Sequence, residues 1–211
     1  MDTMQWTMFP FKPVRITEHL FRSKNWDEYV LELKYDGYRA IQIVNGSNQL
    51  WTRERKPIAM PDNLRGQLAS LNLPPGTVLD GEIWTPTKRG SWRHDKTVVC
   101  NLTFWDAIRV GMQDLSQEKL EKRHERLIEL VGDKAPNVTV VEQHPATVKS
   151  FEAALKLAQT HRNSTDSKSG FIHGVVLKKL GSPRRDHPTR TIDHPDWVKV
   201  VFDGMDSGQI R

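Results

Sequence analysis

The chain has 211 residues, of which 37% are hydrophobic and 27% are charged. This composition supports a buried core and is not that of a disordered tail. The single cysteine, Cys100, excludes an internal disulfide framework and a four-cysteine zinc site. The amino terminus lacks the basic and then apolar order of a signal peptide, and no apolar run is long enough to span a membrane. The sequence therefore predicts a single domain over residues 1–211, located in the cytoplasm and without a membrane partner.

The net charge of +5 arises from two local regions. Residues 41–100 carry 8 basic and 5 acidic side chains, and residues 151–211 carry 10 and 7. Residues 1–40 are balanced at 6 and 6, and residues 101–150 carry 7 and 8. Two basic regions on a nearly neutral background suit a partner that bears phosphates, and nucleic acid is one such partner.

Apolar and β-branched content predicts eight strands along the chain. They cover residues 28–33, 39–44, 49–53, 77–84, 97–108, 138–142, 171–179 and 197–202. Asn45-Gly46-Ser47-Asn48 predicts a hairpin turn between the second and third strands, because Asn-Gly tolerates positive φ. Helical spacing of apolar residues predicts helices at 64–71, at 120–131 and from about Ser150. Since strands outnumber helices, the fold class is α+β with largely antiparallel sheets flanked by helices.

Two polar stretches, 160–170 and 181–195, predict loops. The second holds Arg184, Arg185 and Arg190 together with two histidines. No cysteine accompanies these histidines, so a solvated basic loop is favoured over a metal site.

The most informative segment is Lys34-Tyr35-Asp36-Gly37-Tyr38-Arg39, at the end of a predicted strand. A lysine amine is a nucleophile only when it is deprotonated, which burial or neighbouring cations favour. For a lone lysine near a turn, a strand–turn–strand with charged flanks would be the simpler interpretation. The spacing Lys-x-Asp-Gly-x-Arg, with four fixed identities, favours the chemical interpretation.

This segment resembles the signature shared by ATP-dependent DNA ligases, RNA ligases and mRNA capping enzymes, and its form is most similar to bacterial and viral DNA ligases. The remaining ligase motifs follow in order between about residues 30 and 200. The stretches similar to them are 52–58 (TRERKPI), 79–83 (LDGEI), 104–106 (FWD), 174–178 (GVVLK) and 197–199 (WVK). Three positions depart from the family pattern. Arg55 stands where glycine is usual, His173 where glutamate is usual, and Val201 where a second lysine is usual.

The resemblance implies a role for each matching residue. Lys34 is the nucleophile and Asp36 a second catalytic residue, while Glu32 would select adenine and Trp105 would stack on it. The implied ATP-binding residues are Glu32, Lys34, Arg39, Arg53, Glu82, Trp105, Lys178 and Lys199. The implied contacts to a nucleic-acid backbone are Arg53, Arg55, Lys56, Arg184, Arg185 and Arg190.

The implied cofactors are ATP and Mg²⁺, with Glu82 and His173 as metal ligands. A neutral imidazole is a poor ligand for Mg²⁺, so Mn²⁺ is an alternative metal at this site.

The resemblance further implies an ATP-grasp-like nucleotidyltransferase domain with ATP in a groove between antiparallel sheets and no OB-fold domain in this chain. The implied enzyme is an ATP-dependent DNA ligase of DNA replication, repair and recombination. Lys34 would attack the α-phosphate of ATP, and AMP would then pass to a 5′-phosphate at a nick in double-stranded DNA. The protein would act as a monomer, with an OB-fold supplied by a separate domain or a partner chain.

Two alternatives stay open. An RNA ligase would carry the same motifs on an RNA substrate, and a ligase relative without turnover would be a non-catalytic nucleic-acid-binding module. A capping guanylyltransferase is disfavoured because Glu32 suits adenine.

Overall fold

The computed structural model describes residues 8–86, 98–163 and 172–202. Its strands are β1 (Lys12–Arg15), β2 (Tyr29–Tyr35), β3 (Tyr38–Asn45), β4 (Ser47–Trp51), β5 (Pro57–Ile58), β6 (Val78–Trp84), β7 (Asn101–Val110), β8 (Gln113–Asp114), β9 (Val138–Val140), β10 (His144–Pro145), β11 (Ile172–Lys179) and β12 (Asp193–Val201). Its helices are α1 (Glu18–Ser23), α2 (Asp62–Ser70), α3 (Leu120–Leu130) and α4 (Val148–Asn163).

The first sheet has five strands in the order β1-β12-β11-β2-β10. β1 runs parallel to β12, and the other neighbours are antiparallel. Helix α4 packs on β11 and β2, and α1 contacts β12. Between helices and sheet, Phe151 stacks on Phe21 and meets Phe202 edge-on. Each such buried ring contributes roughly 1.5–3 kcal/mol, so this aromatic cluster fixes the helices on one face of the sheet.

The second sheet follows the order β5-β4-β3-β6-β7-β8, and β9 pairs in parallel with β7. Helix α3 packs on β7, while α2 contacts β4 and β9. The leucines whose spacing predicts these helices are buried in this core, among them Leu64 and Leu68 of α2 and Leu127 of α3. The helical periodicity of the sequence therefore predicts which face of each helix packs on the sheet.

Asp36 and Gly37 carry the chain from one sheet to the other, because β2 lies in the first sheet and β3 in the second. Gly37 approaches β6 so closely that an added Cβ would collide with the carbonyl oxygen of Ile83. Gly174 on β11 is constrained in the same way by the carbonyl oxygen of Val200. Only glycine fits at these two motif positions.

The sequence predicted this architecture in most respects. Each of the eight predicted strands has a counterpart, and all three predicted helices are present. The sheets are largely antiparallel as predicted, and two pairs, β1–β12 and β7–β9, are parallel, so the sheets are mixed. Of the predicted loop 160–170, the first part belongs to α4 and residues 164–170 lie outside the described residues. Within the described ranges, no helix combines the length and apolar character needed to cross a membrane.

Candidate active site

A groove of about 550 Å³ lies between the two sheets. Its walls come from β2 and β11 on one side and from β3, β6 and β7 on the other. It is lined by every residue that the resemblance predicts for ATP, namely Glu32, Lys34, Arg39, Arg53, Glu82, Trp105, Lys178 and Lys199. The topology therefore brings together motifs that are up to 167 residues apart in sequence, from Glu32 to Lys199.

Lys34 is the last residue but one of β2 and projects toward β11. Its Nζ lies 2.9 Å from Nε2 of His173, and Nδ1 of His173 lies 4.0 Å from Oδ1 of Asp36. In the ladder between β2 and β11, Gly174 pairs with Lys34, and the register shifts between Ile172 and Gly174, where His173 lies. His173 is therefore a direct neighbour of the predicted nucleophile.

A buried ion pair between Glu32 and Lys178 forms part of the groove wall. Nζ of Lys178 lies 2.7 Å from Oε2 of Glu32, and the amide of Gln143 donates to Oε1 of Glu32 at 2.8 Å. Nζ of Lys178 also donates to the carbonyl oxygen of Trp105 at 3.2 Å and lies 4.0 Å from the ring centroid of Trp197. Burial raises the pKa of Glu32 and lowers the pKa of Lys178, because each charged form loses its hydration.

Two residues of the site, Gln143 and Trp197, were not predicted as site residues from the sequence. Trp197 lies inside a recognised motif and was available from the sequence. Gln143 precedes the short strand β10, whose pairing with β2 brings it beside Glu32. No local pattern marks such a residue, because its position depends on a pairing more than one hundred residues distant.

Beneath the groove, three arginines and two aspartates form a buried network. Arg39 donates from Nε and one Nη to the two carboxylate oxygens of Asp80, at 2.9 and 2.6 Å. Arg184 lies 2.7 Å from the carboxylate of Asp80 and 3.1 Å from that of Asp106. Arg123 completes the chain with a 2.7 Å contact to Asp106. The network ties β3, β6, β7 and α3 to the segment before β12.

This network corrects the prediction for Arg184. The side chain of Arg184 has no exposed surface and also contacts Asp186 at 2.7 Å, so it cannot reach a nucleic-acid backbone. Burial alone would raise the pKa of Asp80, but Arg39 and Arg184 hold that pKa at about 2. The segment predicted as a solvated basic loop is thus anchored through its first arginine.

The other predicted nucleic-acid contacts are exposed. Arg53, Arg55 and Lys56 occupy the turn between β4 and β5, and Arg185 and Arg190 lie on the segment before β12. Arg55 has a φ of 61°, which accounts for the glycine that the family usually carries there. Its guanidinium lies 4.2 Å from the ring centroid of Phe9, and the backbone of Phe9 pairs with that of His187. Phe9 therefore links the two basic segments on one side of the protein.

The predicted metal ligands line a second cavity of about 440 Å³ next to Lys34. Glu82 accepts a hydrogen bond from the backbone N–H of Gly37 at 3.0 Å, and His173 faces Lys34. Among the described residues, no three histidine, cysteine or acidic side chains are grouped closely enough to hold a metal ion by themselves. A single carboxylate such as Glu82 still fits Mg²⁺ that is shared with phosphates, because Mg²⁺ often takes only one or two protein carboxylates.

Comparison with known proteins identifies the family. The profile of the ATP dependent DNA ligase domain matches residues 11–200. The SPbeta prophage-derived DNA ligase-like protein LigB of Bacillus subtilis (strain 168) is 28% identical over 203 residues, which cover 89% of this chain and 69% of that protein. A DNA ligase of Haloferax volcanii is 24% identical over 182 residues, which cover 75% of this chain and 28% of that protein.

The fold is similar to that of solved ligases. The structure of mycobacterial DNA ligase D complexed with ATP and MES superposes with a TM-score of 0.69 at 19% identity. The matched region covers 92% of this chain and 60% of the mycobacterial chain. The mixed sheets with few helices are those of a ligase nucleotidyltransferase domain. With the motifs gathered in one groove and the family profile spanning residues 11–200, the chain belongs to the ATP-dependent DNA ligase domain family.

Proposed function

We propose that residues 1–211 act as a single adenylation domain in which Lys34 is the nucleophile toward ATP. Deprotonated Nζ of Lys34 forms a bond to the α-phosphorus, and the bond from that phosphorus to the pyrophosphate oxygen breaks. The electron pair leaves with pyrophosphate, the nitrogen releases one proton to solvent, and a lysyl–AMP phosphoramidate results. The observation that carries the proposal is the convergence of Lys34 and the seven other predicted ATP-binding residues on one groove between the sheets.

The remaining groove residues have positioning and electrostatic roles in this proposal. Trp105 stacks on adenine and Glu32 accepts from its amino group, while Lys178 holds the carboxylate of Glu32 in place and Lys199 faces the phosphates. Arg39 is only 13% exposed and is held by Asp80, so it acts mainly by orienting the groove wall. We also propose that the domain is ATP-grasp-like, which the groove between the two sheets supports. We further propose that Asp36 is catalytic, because its carboxylate lies 4.0 Å from His173, the neighbour of Lys34.

The test is incubation of the full chain with α-labelled ATP and Mg²⁺, followed by denaturing electrophoresis. A labelled band that migrates at the mass of the chain, 24.3 kDa, is the expected result. Absence of label with ATP still bound would favour the non-catalytic module. The proposed cofactors are ATP and Mg²⁺, with Mn²⁺ as the alternative metal.

His173 provides a test of the metal assignment. We expect His173→Glu to lower the Mg²⁺ concentration that gives half-maximal labelling of Lys34, because a carboxylate oxygen is the better ligand for Mg²⁺. The labelling rate in Mn²⁺ divided by the rate in Mg²⁺ should be larger for the wild type than for His173→Glu. His173→Gln has the size of the glutamate variant without its charge and is the matched control. If the glutamate variant needs as much Mg²⁺ as the wild type, His173 serves its contact with Lys34 and not a metal.

The proposed substrate is nicked double-stranded DNA, to which AMP is transferred before the strands are joined in replication, repair or recombination. Its support is the family and the exposed basic side chains on either side of Phe9. The protein would act as a monomer. An RNA ligase remains the second candidate, favoured if a nicked duplex with an RNA strand is joined faster than DNA.

Salt dependence tests the DNA-binding surface. Each phosphate that a cation neutralises contributes about −0.9 to the slope of log affinity against log salt. We expect Lys56→Ala/Arg190→Ala to bind nicked duplex more weakly and to reduce that slope by about 1–2. Lys149→Ala, which removes an exposed charge at the start of α4, should leave the slope unchanged. Equal slopes for the double variant and the wild type would place the DNA elsewhere.

A further inference from the structure

The second cavity has one cationic wall. It is continuous with the ATP groove through Lys34, Glu82 and Lys199, which line both spaces. Part of its wall is formed by β1 and β12, where Lys12 and Arg15 join Lys199. Neither Lys12 nor Arg15 belongs to a recognised motif, and β1 itself was not predicted from the sequence.

The pairing of β1 with β12 fixes these side chains. Arg15 pairs with Lys199 in the parallel ladder, and the backbone N–H of Ile16 donates to the carbonyl oxygen of Lys199 at 2.9 Å. The N–H of Lys12 donates to Ile192 at 2.9 Å. The cations of β1 are therefore held beside the cavity by backbone hydrogen bonds.

The positive charges repel one another in the absence of an anion. Burial lowers the pKa of Lys199, and the nearby cations Lys12, Arg15 and Arg53 lower it further. Three carboxylates also line the cavity, on Asp36, Glu82 and Asp193. Of these, Asp193 contacts Lys12 at 3.5 Å, and both side chains are at least half exposed, so solvent weakens the pair. An anion of high charge density would relieve the remaining repulsion.

We propose that Lys12 and Arg15, together with Lys199, bind the β- and γ-phosphates of ATP and hold the pyrophosphate leaving group. The cavity adjoins Lys34, so an α-phosphate within reach of Nζ directs the rest of the triphosphate into this space. The same residues receive pyrophosphate in the reverse reaction, in which its oxygen bonds to the α-phosphorus, the bond from phosphorus to Nζ of Lys34 breaks, the amine regains a proton from solvent and ATP is released. This inference rests on the adenylation function proposed above, but it makes a separate prediction about binding.

The experiment compares the affinities of the full chain for ATP, AMP and inorganic pyrophosphate by calorimetry. We expect Lys12→Ala/Arg15→Ala to weaken ATP and pyrophosphate binding by about ten-fold or more while AMP affinity changes by less than about two-fold. Asp193→Asn removes the carboxylate beside Lys12 and should strengthen pyrophosphate binding. Lys122→Ala removes an exposed charge on α3 and is the control for net charge.

A second measurement uses the labelled protein, and the outcomes separate the two proposals. The pyrophosphate concentration that releases half of the label as ATP should rise by about ten-fold in the double variant. Equal losses of ATP and AMP affinity, an unchanged ATP affinity, or a loss confined to nicked DNA would each overturn the inference. If the wild type binds ATP through Lys12 and Arg15 but acquires no label, the binding site stands and the adenylation function fails.

Discussion

Lys34→Arg is expected to abolish covalent labelling by α-labelled ATP. The amine of lysine can lose its proton and attack phosphorus, whereas the guanidinium of arginine stays protonated at any pH at which the protein is folded. The side chain at position 34 lines two open cavities, so the longer arginine should not disturb the core. Denaturing electrophoresis after incubation with labelled ATP measures the effect.

Two controls accompany this variant. Its thermal unfolding temperature should match that of the wild type, which shows that the fold is intact. Lys56→Arg makes the same chemical change at an exposed position of the groove mouth and should leave labelling undiminished. Label on the Lys34→Arg protein would mean that a different side chain is the nucleophile.

Arg184→Met should lower the free energy of unfolding by about 3–5 kcal/mol, the usual cost of removing one partner from a buried ion network. Arg184 contacts Asp80, Asp106 and Asp186, and its side chain has no exposed surface. Its loss leaves Asp80 and Asp106, both fully buried, with less positive charge in an interior that solvates anions poorly. Urea titration at neutral pH gives the value.

Arg185 is the matched control. It is the next residue, its side chain is 50% exposed, and its contact with Asp196 is 3.6 Å. Arg185→Met should therefore cost at most about 1 kcal/mol. Equal losses for the two variants would show that the buried network does not stabilise the fold.

The pH dependence adds a second signature of the Arg184 contact. The native pKa of Asp80, about 2, lies below its value in an unfolded chain, so its contribution to stability is present above about pH 4 and is lost as the pH falls toward 2. The difference between wild type and Arg184→Met should shrink over that range. A difference that stays constant would assign the loss to packing alone.

The sequence predicted the parts of the fold that depend on local patterns. The hairpin at residues 45–48 follows from Asn-Gly, and Gly46 has the expected positive φ of 67°. The motif residues were located because their spacing within short segments is fixed. The leucine spacing of α2 and α3 likewise reports a face that is buried in the structure.

Features that depend on distant pairings were not predicted. β1 has the sequence Lys-Pro-Val-Arg, whose composition favours no strand, and it exists because β12 offers an open parallel edge. Arg184 looks solvated beside Pro183 and Arg185, and its burial follows from aspartates on β6 and β7. Asp80 and Asp106 lie inside two recognised motifs. The resemblance implies site roles for their neighbours Glu82 and Trp105, and it implies none for the two aspartates.

The close approaches at Gly37 and Gly174 show that the ligase motifs combine residues required by the fold with residues required by the reaction. Any side chain at these positions would strike the backbone of a neighbouring strand, whether or not the protein transfers a nucleotide. A library selected only for folding should therefore retain both glycines while position 34 drifts freely. In a newly found sequence, the two glycines therefore indicate the fold, whereas only the lysine indicates the nucleotidyl transfer reaction.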